Sequence, residues 1–213
     1  MMSEPIEFWF SVASTYTYLS VSRIADVARR EGVTFIWRPF GVRAIMKEQN
    51  NIPFIGKPVK TAYMWRDIER RAARLGVPAR VPAPYPLTAY DTAHHVVMVG
   101  FAEGWGEDYV RETYRQWFGE GLEPGTEPSL SASLRAVGQD ATRVLAEAAA
   151  PAAADALAAA TEAAKARGVF GSPSFVTRGE LFWGDDRMED AIEWSRQGAL
   201  VARLSGLTAG LAR

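Results

Sequence analysis

The spacing of apolar residues changes several times along this chain, and each change marks an element. Ile6-Glu7-Phe8-Trp9-Phe10 is short, aromatic and bounded by Pro5 and a serine-containing run, the pattern of a buried strand. From Tyr16 the apolar residues Tyr18, Leu19, Ile24, Ala25, Val27 and Ala28 recur at helical spacing as far as Gly32, a residue suited to a C-terminal cap. Val33 to Phe40 then predicts a second strand, closed by Pro39 and Gly41. A strand-helix-strand crossover of this kind joins parallel strands.

Residues 44–165 are helical in pattern, interrupted by proline clusters at 53–58 and 78–86 and by a Gly/Pro/Glu loop at 119–128. The run 146–166 is alanine-rich enough for propensity alone to support a helix, with Pro151 kinking or restarting it. After Gly168 strand signals return in Ser174-Phe175-Val176-Thr177, a turn at Arg178-Gly179, and Leu181-Phe182-Trp183. Asp185-Asp186 then opens a last helix, with Met188, Ile192 and Trp194 on its inner face. The order predicts an α/β fold: a thioredoxin-like core from residues 1–43 and 165–213, with residues 44–164 as an inserted helical domain.

Composition narrows the function classes. Acidic and basic residues nearly cancel, 25 against 24, so no overall basic field exists to attract nucleic acid. The run Arg66, Arg70, Arg71, Arg74 is interleaved with Asp67 and Glu69 and reads as a solvated helix face. The chain has no cysteine, which removes disulfides, thiolate metal sites and a cysteine nucleophile together. His94 and His95 are adjacent and therefore diverge, a poor geometry for zinc, and no metal is expected. No apolar run approaches the ~18 residues of a membrane helix, and the N-terminus lacks a basic region followed by an apolar one. A cytoplasmic location, with no membrane partner, is expected.

Three places carry candidate chemistry. Ser14 lies between the first strand and helix, where a hydroxyl caps a helix and where backbone N–H groups also favour an anion such as a thiolate. Ser11 is the competing hydroxyl. In Gly168-Val169-Phe170-Gly171-Ser172-Pro173, a trans proline would begin an edge strand, whereas a cis Ser172–Pro173 bond would expose the backbone of Ser172 to a peptide-like ligand. In Leu181-Phe182-Trp183-Gly184-Asp185-Asp186-Arg187, the paired acids serve a helix dipole or hold a ligand ammonium.

Together these motifs resemble those of the 2-hydroxychromene-2-carboxylate isomerases and the kappa-class glutathione transferases. Ser14-Thr15-Tyr16-Thr17-Tyr18-Leu19 is similar to the family's Ser-Pro-Tyr-x-Tyr/Trp-Leu, with Thr15 in place of the usual proline. Gly168 to Pro173 and Leu181 to Arg187 match its second and third motifs, and the likeness runs from about Ile6 to about Leu204. The resemblance implies glutathione as cofactor. Ser14 would stabilise its thiolate, Ser172 would pair its backbone with its cysteinyl part, Asn51 and Lys60 would hold its glycine end and Asp185 and Asp186 its γ-glutamyl end, with Pro173 and Trp183 also among the cofactor-binding residues. Of the two acids, the match to the family's Asp-Arg pair favours Asp186. Tyr85 matches a family position lining the acceptor pocket, and Arg43 or Lys47 suits a carboxylate there. The expected partner is a small aromatic carboxylate or other electrophile, and the expected assembly a homodimer. A disulfide oxidoreductase, which shares the fold, lacks its cysteine here.

Overall fold

The computed structural model describes residues 3–198 and 200. The tail of the expected second core segment, residues 201–213, and the far end of the resemblance near Leu204 lie outside the described residues. Strand β1 (Ile6–Phe10) lies at the centre of a four-stranded sheet of order β2-β1-β3-β4. It pairs in parallel with β2 (Phe35–Pro39), Phe8 opposite Trp37, and antiparallel with β3 (Ser174–Thr177), Phe8 opposite Phe175. The hairpin of β3 and β4 (Glu180–Trp183) completes the sheet.

β1 is apolar on both faces because both are covered. Ile6, Phe8 and Phe10 point into one cluster, while Trp9 joins Phe40, Val42, Ile45 and Val176 on the other. Phe8 lies 5.3 Å from both Phe10 and Phe175 in stacked geometry and 5.0 Å from Trp37 edge-on. The first cluster continues through Met64 and Ile68 to Tyr109, Val110, Tyr114 and Trp117. The helical segment between β2 and β3 therefore shares one apolar core with the sheet.

That segment comprises α3 (Val42–Glu48), α4 (Pro58–Leu75), α5 (Tyr90–Glu103), α6 (Gly106–Arg115), a π-helical turn (Gln116–Glu120), α7 (Ser129–Ala136), α8 (Ala141–Ala148) and α9 (Pro151–Ala166). Pro151 restarts the alanine-rich run at the first turn of α9, where its missing N–H has no intrahelical partner to lose. Among the described residues no single helix is long and apolar enough to cross a membrane; α8 and α9 qualify only together, across a bend of 64°.

The single helix expected from Tyr16 to Gly32 is two: α1 (Thr17–Val21) and α2 (Ile24–Glu31). The break falls at Arg23, whose guanidinium is turned inward to Glu189 and to the Asp185 carbonyl. Apolar spacing cannot register that pull. Gly32 does end α2, in the left-handed conformation with φ 63° that favours glycine. β2 is shorter than the expected Val33 to Phe40. After β4, a single 3₁₀ turn (Asp185–Arg187) leads into α10 (Met188–Gln197).

Candidate active site

The loop from β1 to α1 is held by hydrogen bonds from distant parts of the chain. The Tyr114 hydroxyl lies 3.1 Å from the Ser11 carbonyl and 2.9 Å from that of Ser14, and its pKa is pushed well up by burial. Ser11 N–H donates to Ser172 Oγ at 2.8 Å, and Ser172 Oγ also bonds Thr17 Oγ1 at 2.8 Å. Ser14 Oγ donates to the Ser172 carbonyl at 2.8 Å. The Ser172–Pro173 bond is cis, resolving the choice the sequence left open.

The two serines thus part company. Ser11 is fully buried and its Oγ lies 2.8 Å from His94 Nε2, whereas Ser14 is half-buried and lines a pocket. Capping does not account for Ser14, because α1 begins after Tyr16 with no side-chain cap.

The pocket has a volume of about 840 Å³ and opens between the sheet and the helical segment. Ser14, Ser172, Pro173, Trp183, Asp185 and Asp186 lie along it, as do Lys60, Tyr85, Arg43 and Lys47. Asn51 is not among its lining residues: it is exposed, and its N–H bonds the Met46 carbonyl at the end of α3. Exposed Trp183 sets its ring edge-on to Phe170, with centroids 4.9 Å apart.

At the acidic end Asp185 is buried and Asp186 is half-exposed. Arg71 reaches Asp185 Oδ2 at 2.6 Å and Asp186 at 3.9 Å. Burial pushes the Asp185 carboxyl up to about 7 against the opposing pull of Arg71, with Asp186 adding to the rise. Tyr16, likewise lining the pocket, donates to Asp67 Oδ2 at 3.0 Å. Arg71 and Asp67 are therefore not part of a solvated helix face as expected. α4 turns them toward the pocket, while Arg66 keeps its local partner Glu69 outside. A helical wheel centred on Met64, Ile68 and Ala72 would have placed Asp67 and Arg71 beside the buried stripe.

The other end is apolar and cationic. Tyr85 packs edge-on against Trp65 at 6.0 Å and Phe54 at 6.4 Å, and burial pushes its pKa up. Lys60 Nζ sits 5.6 Å from the Phe54 ring centroid and the Arg43 guanidinium 3.8 Å from that of Tyr90. One wall thus presents a hydroxyl and a cis-proline backbone, one end paired carboxylates with an arginine, and the other separated cations among aromatic rings. Among the described residues no cluster of His, Asp or Glu has metal-binding geometry.

A thioredoxin-like sheet with a long helical insertion and a cis-proline beside the β1–α1 loop defines a class, and the chain belongs to it: the DSBA-like thioredoxin domain family, matched over residues 5–193. Among its relatives the chain is 30% identical over 94 residues to a 2-hydroxychromene-2-carboxylate isomerase of Sphingobium xenophagum, covering 43% of this chain and 48% of that one. It is 32% identical over 78 residues to glutathione S-transferase kappa 1 of Caenorhabditis elegans, covering 36% and 34% respectively. The alignments span about half and about a third of those two proteins. A solved 2-hydroxychromene-2-carboxylate isomerase superposes with TM-score 0.75 at 24% identity, over 92% of this chain and 100% of that one. A probable DsbA oxidoreductase from Streptomyces coelicolor gives 0.72 at 21% identity, over 94% and 93%. At such identities the superpositions establish the shared fold.

Proposed function

We propose that the protein is a glutathione-dependent cis-trans isomerase of the 2-hydroxychromene-2-carboxylate type. The observation that carries this reading is one pocket with Ser14 and Ser172 on its wall, Asp185, Asp186 and Arg71 at one end, and Lys60, Arg43 and Lys47 elsewhere along it. This donor set fits glutathione, which carries an ammonium and a carboxylate on its γ-glutamyl end and a second carboxylate on its glycine. Bound glutathione would supply a thiolate that adds reversibly to an unsaturated carbon and is expelled after rotation.

The residues' own tasks follow from their chemistry. Asp185 and Asp186 hold the ammonium and Arg71 the neighbouring carboxylate. Ser172 presents its backbone to the cysteinyl peptide, beside Pro173 and the rim residue Trp183. Ser14 turns its hydroxyl from the Ser172 carbonyl toward the sulfur and favours its anionic form. Lys60 meets the glycine carboxylate; Asn51 would join it only if its loop moved inward. Tyr85 walls the second substrate, whose carboxylate meets Arg43 or Lys47.

Turnover of a panel of chromene carboxylates with and without glutathione tests the proposal, together with thermal melting. Reduced glutathione at millimolar concentration is expected to raise Tm, and isomerisation to require it without consuming it. Stoichiometric consumption into a stable adduct would establish a kappa-like transferase instead. Binding without turnover would leave a glutathione-binding protein, and no thermal shift or heat of binding would overturn the cofactor.

A further inference from the structure

His94 is wholly buried on α5, and none of the chemistry above uses it. Its Nδ1 lies 2.8 Å from the Tyr90 carbonyl, which can only accept, so Nδ1 carries the proton. Burial keeps the imidazole neutral, pushing its pKa down to about 4, with the charge of Arg43 acting in the same direction. Nε2 is therefore a bare lone pair, and the Ser11 hydroxyl 2.8 Å away donates to it.

The proton of Ser11 is thereby committed, and its oxygen is left to accept. His94 is thus pinned by a hydrogen bond at each ring nitrogen. The Tyr90 phenolic oxygen accepts the backbone N–H of Arg43 at 3.2 Å. The His94 and Tyr90 ring centroids are 4.0 Å apart, and the Arg43 guanidinium packs on the same Tyr90 ring at 3.8 Å while reaching toward the Leu87 carbonyl at 3.5 Å. Tyr90, Arg43 and Leu87 line the pocket, and Ser11 and His94 lie behind it.

We propose that His94 is a positioning residue: pinned at both ring nitrogens and packed on Tyr90, it fixes that ring, and Tyr90 holds the Arg43 guanidinium where the pocket receives the carboxylate of a flat aromatic ligand. This rests on the reading that the second substrate's carboxylate lies at this end. A neutral imidazole suits the task because it accepts the Ser11 bond without placing a second positive charge beside Arg43.

The test needs no turnover. Binding of 2-naphthoate and of 2-naphthamide, which share a ring system and differ in charge, is measured by calorimetry. The variants are Arg43→Gln, His94→Phe, His94→Gln and Tyr90→Phe, with glutathione affinity followed on the same samples. Wild type is expected to prefer the carboxylate, and Arg43→Gln to lower that preference about tenfold or more. His94→Phe keeps a ring but neither hydrogen bond, and is expected to lower it about three- to tenfold while glutathione affinity stays within about twofold. His94→Gln, whose side-chain oxygen can accept from Ser11 but which has no ring to set against Tyr90, is expected to lower it at least as far. Tyr90→Phe drops only the hydroxyl that accepts the Arg43 N–H and is expected to lower the preference by a similar factor, so the proposal is tested even where a His94 variant folds poorly.

An unchanged preference in both His94→Phe and Tyr90→Phe would overturn the proposal. So would equal losses for amide and carboxylate, which would mark a structural role alone. Absence of glutathione binding by wild type would overturn the proposed function separately, leaving the carboxylate preference to be read on its own.

Discussion

A serine hydroxyl has one proton to give, and where it goes decides what the side chain does. Ser11 gives its proton to His94 inside the core, whereas Ser14 gives its own to a carbonyl on the pocket wall, from which a ligand sulfur can claim it. Ser14→Ala is therefore expected to lower turnover far more than glutathione affinity and to raise the pKa of the bound thiol, read from the pH dependence of thiolate absorbance. Ser11→Ala is expected to leave that pKa in place and to destabilise the fold by about 1–3 kcal/mol, the cost of an unpaired imidazole nitrogen. The opposite pattern would move thiolate activation to Ser11. Asp185 provides a second residue-scale test. With its carboxyl near 7 it is largely neutral below that pH, and a ligand ammonium favours the charged form. S-Methylglutathione, which has no thiol to titrate, is expected to bind more weakly as pH falls below about 7, by at most about tenfold per pH unit. Asp185→Asn is expected to bind weakly and without that slope; a slope surviving in the variant would assign the titration elsewhere.

At the scale of elements, local pattern predicts what local forces make. The strand pattern of β1, β3 and β4, the end of α2 at Gly32 and the restart of α9 at Pro151 depend on period, caps and breakers carried by the segment itself. The division of α1 from α2 falls at Arg23, which meets Glu189 far along the chain, a contact on which the sequence around it is silent. The site divides in the same way. Ser14, Ser172, Trp183 and the two aspartates sit in motifs whose spacing is visible, while Tyr114, Arg71 and His94 act through contacts that only folding creates. Asn51 shows the converse, a motif position left outside the pocket by the loop that carries it. Gly171, just ahead of β3, tests how tightly neighbouring elements fit. A Cβ there would lie 2.3 Å from Trp183 Nε1 on the facing strand β4. Because Trp183 is 56% exposed it can swing outward, so Gly171→Ala is expected to destabilise the fold by only about 1 kcal/mol. The same change should shift the Trp183 indole N–H resonance and weaken glutathione binding. An unmoved resonance would mean that the backbone yields instead of the indole.

For the whole molecule, two buried titrating groups pull stability in opposite directions over one pH range. His94 has its folded pKa depressed to about 4, from the ordinary 6.5 of a free imidazole. As pH falls from about 6.5 toward 4 the unfolded chain binds a proton that the folded chain refuses, so the contribution of His94 is present above this range and lost below it. Asp185 is the reverse, raised to about 7 from 3.8. Its contribution is complete below about pH 4 and lost as pH rises toward 7, because the unfolded chain releases the proton first. They amount to on the order of 3 kcal/mol for His94 and 4 kcal/mol for Asp185 at full extent, and between about pH 4 and 6.5 the two slopes oppose. Wild-type stability, measured as the urea midpoint across that range, is expected to vary little on account of this pair. His94→Gln removes one slope and is expected to become less stable as pH rises from 4.5 to 6.5. Asp185→Asn removes the other and is expected to become more stable over the same interval. The double variant is expected to recover the flat profile, since His94 behind the pocket and Asp185 at its acidic end share no partner. Parallel slopes in the two single variants would show that other groups, and not this opposed pair, govern the pH dependence of folding.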